Sequence, residues 1–94
     1  MLIDVFNKRE FNLYMYEANM YYNKAIQLDN DNKFNESKEY FKKAGELYLK
    51  SAEIVTNSSL KQQAIEKYKE SERMYYKVVC KIMKANKIVK GNKE

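Results

Sequence analysis

No proline occurs anywhere in this chain of 94 residues, and its glycines stand at positions 45 and 91 alone. With the two strongest helix breakers nearly absent and Lys, Glu, Ala, Leu, Met and Tyr abundant, the composition favours helix over sheet or disorder. The length corresponds to one domain with a modest core, so an all-α domain is expected. Gly45 then poses a question. It lies inside FKKAGELYLKSA, residues 41–52, where a glycine costs about 0.5–1 kcal/mol relative to alanine, and something close to that backbone is expected to compensate.

Apolar spacing divides the chain into three helices. Phe34, Ser37, Phe41, Ala44, Tyr48, Ser51 and Val55 recur at intervals of three and four, the mark of one helical face. The same rhythm appears before them in Phe11, Tyr14, Ala18, Tyr21, Ala25 and Leu28, and after them in Ala64, Tyr68, Ser71, Tyr75, Val78 and Ile82. The polar run Asp29-Asn30-Asp31-Asn32 places one loop near residues 29–33. Thr56-Asn57-Ser58-Ser59 marks the second break, with Ser58 or Ser59 as N-cap. Two short loops make antiparallel neighbours, hence an antiparallel three-helix bundle. The bundle is expected over residues 11–88, with residues 1–10 an N-terminal extension or the start of the first helix and residues 89–94 a basic tail or linker.

The second helix is apolar or small over an arc of roughly 220° at about 100° per residue, wide enough to meet two bodies. Gly45 falls toward the edge of that arc with Phe41, Leu49 and Ala52. Either it accommodates a bulky tyrosine of another helix, or it leaves a groove for a ligand. The third helix carries a second row beside its core stripe, Ile65, Glu72, Tyr76, Val79 and Met83. Three helices of this size leave two such arcs incompletely covered, which makes room for a partly open apolar groove. On the first helix, Leu2, Phe6, Leu13, Tyr16 and Met20 fall opposite the core stripe. Either the first ten residues fold back over Leu13 and Met20, or this stripe contacts another chain; self-association through Leu2, Phe6, Leu13 and Met20 is the reading preferred.

Several functional classes find little support. Histidine is absent, and Cys80 has neither a histidine to activate it nor a second thiol for a disulfide or a metal site. No catalytic residue, cofactor or metal site is assigned, and Cys80 is expected to be buried or half-buried on its helix. DNDNK resembles the start of a calcium loop, but Phe34 and Tyr40 stand where the required Gly and Glu should be. No run approaches the roughly 18 apolar residues of a membrane span, and MLIDVFNKRE is charged where a secretory segment is not. An intracellular, soluble protein is therefore expected, and the glycosylation-like triplets at Asn35 and Asn57 carry no weight. The net charge of +5 lies wholly in residues 77–94, where six lysines face Glu94 alone; residues 1–76 balance 12 cations against 12 anions. Those lysines spiral around a helix with no aromatic after Tyr76, which argues for a solvated helix end complementing the macrodipole and against a nucleic-acid surface.

The segment KAIQLDNDNKFNESKEYFKKAGELYLKSAEI, Lys24 to Ile54, resembles the first two helices of the MIT (microtubule-interacting and trafficking) domain. That pattern runs Ala, an acidic turn, an aromatic followed by Glu and a small residue, then Tyr or Phe and Ala, met here by Ala25, Asp29, Phe34, Glu36, Ser37, Phe41 and Ala44. MYYKVVCKIMK, Met74 to Lys84, resembles the third helix through Tyr75, Tyr76, Val79 and Ile82, with about three extra residues in the preceding loop. The similarity covers roughly residues 11–88, with motifs shared by tetratricopeptide repeats. Ser37, Phe41 and Ala44 do recur 34 positions later as Ser71, Tyr75 and Val78, but the helix that should precede a second repeat is missing, and repeats need about three units for stability.

The resemblance implies a protein-interaction module that binds short C-terminal tails of ESCRT-III-type proteins and recruits an attached effector in endosomal sorting and protein transport. It implies a cytoplasmic location at the periphery of endosomal membranes, with the membrane reached only indirectly. Family members take an amphipathic helix between the second and third helices, or an extended Pro-containing strip between the first and third. By position, the helical groove here would be walled by Phe41, Gly45, Leu49 and Ala52 and by Glu72, Tyr76, Val79 and Met83. The chain departs from the family at Tyr76, where Leu is usual, and at Cys80, where an acidic residue often meets a basic residue of the tail. Two alternatives stand beside this reading: a self-associating or tetratricopeptide-like helical scaffold without tail binding, and a basic surface binder acting through Lys77–Lys93.

Overall fold

The computed structural model describes the backbone of residues 2–92 and the side chains of residues 7–87. Three helices follow one another, α1 (Leu2–Asn30), α2 (Phe34–Ile54) and α3 (Ser58–Asn92), in an antiparallel all-α bundle. Helix α2 packs closely along both neighbours, whereas α1 and α3 touch only slightly. The wide apolar arc of α2 thus meets two bodies, and both belong to its own chain.

The connections end the helices by local chemistry. Asn32 adopts a left-handed conformation (φ 62°), which asparagine tolerates better than most residues. Its N–H donates to the Asp29 carbonyl at 3.0 Å, and the Lys33 N–H donates to the Leu28 carbonyl at 2.8 Å. That pair of bonds is a Schellman closure of α1. The polar run therefore serves the end of α1, since Lys33 begins α2 with no side-chain cap. At the second break the cap is Asn57, one residue ahead of the expected serines: its Oδ1 accepts the Leu60 N–H at 3.0 Å. Asn, Ser and Thr are near-equivalent caps, so the choice among four in a row is made by where Val55, extended at φ −110° and ψ 146°, releases the chain.

The core is three stacked layers, each placing one aromatic among small residues. Phe11 of α1 lies with Ala52, Val55 and Ala64, Tyr48 of α2 with Ala18 and Ala44, and Phe41 of α2 with Ala25 and Val78. Alternating large with small lets helices approach closely without voids. Ser37 reinforces one interface, its buried hydroxyl donating to the Ala25 carbonyl at 2.8 Å. The Tyr48 hydroxyl donates to Asn19 Oδ1, so the largest fully buried side chain is satisfied at its polar tip.

Two features set up the surface. The outer α1–α2 seam is closed by aromatic and cationic side chains: Tyr21 lies 5.8 Å from Tyr40, Lys43 sits over the Tyr40 ring at 5.4 Å, and Lys50 over Tyr14 at 5.0 Å. Helix α3, by contrast, outruns α2. Phe34, the first residue of α2, and Ile82 of α3 pack against the same layer, and every described residue from Met83 to Lys87 is exposed. Lys81 anchors the root of this overhang, reaching the Asp29 carboxylate at 2.8 and 3.0 Å.

Helix α1 is already formed at Leu2, so the first ten residues do not fold back. Leu13, Tyr16 and Met20 are 59%, 65% and 56% exposed, while the Leu2 and Phe6 side chains lie outside the described residues. Cys80, expected to be at least half-buried, is exposed; it stands one turn beyond the exposed Tyr76 on α3.

Candidate functional site

Gly45 of α2 and Ser71 of α3 lie opposite each other, both buried. With no side chain on one and a small one on the other, the seam between these helices dips. The result is an open hollow of about 280 Å³, floored by Gly45, Ser71 and Phe41 and walled by Lys42, Glu46, Tyr68, Glu72, Tyr75 and Tyr76. The volume lies just below the roughly 300–1,000 Å³ of small-molecule sites, which suits an anchoring side chain better than a cofactor.

The walls have distinct chemistry. The Tyr68 ring slides over Gly45, while its hydroxyl donates to Glu72 Oε2 at 3.0 Å. That bond and the carboxylate's charge push the Tyr68 phenol above its ordinary value. Tyr76 stands against Tyr75 edge-on at 5.4 Å and is 59% exposed. At the floor, the Ser71 hydroxyl is buried without a hydrogen-bond partner. Such an orphan is uncommon and costs about 1–3 kcal/mol.

The question raised by Gly45 has a two-part answer. A tyrosine, Tyr68, does lie over it, and a hollow also opens there. Yet a Cβ built at position 45 would stand 3.6 Å from Ser71 Cβ and 3.7 Å from Tyr68 Cδ1, ordinary contact distances. Packing between α2 and α3 therefore does not demand glycine. Gly45→Ala is expected to stabilise the fold by about 0.5–1 kcal/mol, read as a higher urea midpoint at unchanged slope. A lower midpoint would mean that α3 cannot yield to one methyl group.

Four of the eight expected groove residues come together here: Phe41, Gly45, Glu72 and Tyr76. Ala52 is core, packed in the layer of Phe11 and Ala64. Leu49, 38% exposed, lies one turn beyond the hollow on α2. Val79 is half-buried, and Met83, 64% exposed, lies on the overhang. Tyr68, Ser71 and Tyr75 line the hollow although their spacing assigned them to the core stripe. The signal that could have found them is a pair of small residues, Gly45 and Ser71, facing each other in antiparallel register.

A second valley lies between α1 and α3. Its described walls are Met15 of α1 and long polar side chains of α3, including Gln63, Glu66, Lys67, Glu70 and Arg73, whose stems supply much of its apolar surface. Burial, with the facing Glu70 second, raises the Tyr22 phenol at its edge. Among the described residues no cluster of three or more His, Cys, Asp or Glu could hold a metal ion, and no helix is long and apolar enough to cross a membrane. The chain matches no family model, no curated protein and no solved structure.

Proposed function

We propose that this chain is a recognition module that receives a short amphipathic helix from a partner protein in the seam between α2 and α3, as MIT domains receive the C-terminal tails of ESCRT-III-type proteins. The observation carrying this reading is the hollow over Gly45. Glycine there costs stability without being required for packing, the Ser71 hydroxyl beneath it lacks a partner, and the exposed Tyr76 ring stands at its rim. An anchor residue of a docked helix would fill the hollow, and its neighbours at i+3 and i+4 would reach Tyr76 and Leu49. In this role the chain binds, any catalysis belongs to an effector it recruits, and it works in the cytoplasm at the periphery of endosomal membranes.

Titration of the labelled protein with ESCRT-III tail peptides is expected to move amide resonances of α2 and α3 around Gly45, Ser71 and Tyr76. Tyr76→Asp is expected to weaken that binding by at least about tenfold with helical circular dichroism unchanged. No movement of those resonances removes the reading. A second reading, a self-associating scaffold, is favoured by the exposed Leu13, Tyr16 and Met20 on α1. A mass that grows with concentration while α2 and α3 ignore every peptide would select it.

A further inference from the structure

We infer that the partner segment is acidic along the part that continues past Tyr76, so that the seam selects a negatively charged helix. This rests on the docking reading above and adds the chemistry of the occupant. The outer face of α3 does not stop at the hollow. Glu72, Tyr76, Cys80, Met83 and Lys87 follow one another at intervals of three and four, forming one strip that leaves the bundle where α2 begins. Tyr76 and Met83 are 59% and 64% exposed, and Cys80 and Lys87 are exposed as well. A helix seated in the hollow needs about two more turns to reach Met83 and about three to reach Lys87.

The sign of charge changes along that path. At the hollow, Glu46 and Glu72 outnumber Lys42. From residue 77 to residue 87 the charged residues are Lys77, Lys81, Lys84 and Lys87, with no carboxylate among them. Lys81 is held by Asp29; among the described residues, Lys77, Lys84 and Lys87 have no ion-pair partner. Lys84 and Lys87 line one shallow surface with Cys80 and Met83, so a docked segment would lie between apolar contact below and these two ammonium groups at the rim. Rim charges of one sign set register and reject segments of like charge. An acidic segment is favoured there and a basic one repelled, the reverse of the basic tail implied by the resemblance at Cys80.

The test uses the full chain and two synthetic peptides of about 16 residues with the same leucine and alanine helical pattern, one bearing glutamates along its outer turns and the other lysines. Fluorescence anisotropy at low salt is expected to give at least about tenfold tighter binding of the glutamate peptide. The advantage should shrink near 1 M salt, where the screening length is about 3 Å. The double variant K84E/K87E, checked by circular dichroism, is expected to reverse the order, and Tyr76→Asp to weaken both peptides. Equal affinities, tighter lysine-peptide binding, or a glutamate preference surviving K84E/K87E would overturn the proposal while leaving docking intact. If neither peptide binds, docking itself fails and the acidic partner with it. Cosedimentation with phosphatidylserine vesicles that K84E/K87E abolishes, without any glutamate-peptide preference, would assign the lysines to a membrane surface and overturn the peptide partner.

Discussion

Phe41→Ala is expected to cost about 3–5 kcal/mol of folding stability, the range for emptying a buried phenylalanine site. The ring is 0% exposed, shares its layer with Ala25 and Val78, and meets Tyr22 edge-on at 5.3 Å. Its neighbours offer little to refill the space: Ala25 is already small, and Ser37 is committed to the Ala25 carbonyl. A domain of this length has about 5–14 kcal/mol in total, and each kilocalorie corresponds to about 4–8 °C. Melting should therefore fall by more than about 12 °C in a circular-dichroism scan. A loss below about 1 kcal/mol in urea would mean that the layer is not packed around this ring. The hollow beside it would lose its floor in the same variant, so binding defects of Phe41→Ala say nothing about recognition.

The second large effect is a loss of stability in alkali. Tyr48 is 1% exposed, and burial, followed by the proximity of Tyr22 and Glu70, pushes its phenol up from 10.0 to about 12. The native state holds the proton more tightly than the unfolded chain, so the contribution is fully present below pH 10.0 and is lost as pH rises through about 12. Two pH units correspond to about 2–3 kcal/mol. Burial raises the Tyr22 phenol in the same direction. Tyr48→Phe should cost about 1 kcal/mol at neutral pH, because the exposed Asn19 regains water, and should flatten the alkaline fall. Lysines deprotonate equally in both proteins, so the difference between the two urea-midpoint profiles isolates Tyr48. Parallel profiles from pH 10 to pH 12 would contradict the assignment.

Much of the fold was legible because periodicity reports burial directly. Of the residues in the three stripes, Phe11, Ala18, Ala25, Ser37, Phe41, Ala44, Tyr48, Ala64, Ser71 and Val78 are buried, while Tyr14, Tyr21, Phe34, Tyr68, Tyr75 and Ile82 are half-buried, since on an uninterrupted helix a spacing of three and four has one geometric meaning. The exposed stripe of Leu13, Tyr16 and Met20 followed from the same arithmetic. Relations between helices were not legible. Opposing Gly45 to Ser71 requires the α2–α3 register, which depends on the loop at Val55–Asn57 and on the Asn57 cap. A stripe also treats Tyr68 as one point, whereas its ring packs toward the Tyr48 layer and its hydroxyl sits on the wall of the hollow with Glu72. Cys80 was misjudged for a related reason: exposure there depends on which side of α3 faces α2.

The slight contact between α1 and α3 bears on assembly. Among the described residues, close backbone approach is almost wholly between helices consecutive in the chain, through connections of three residues each, Asp31–Lys33 and Val55–Asn57. Little loop-closure entropy is spent before each contact is rewarded, and either hairpin can close without waiting for the other. The topology belongs to the fast end of folding rates, with α2 as the common template on which both flanking rods condense.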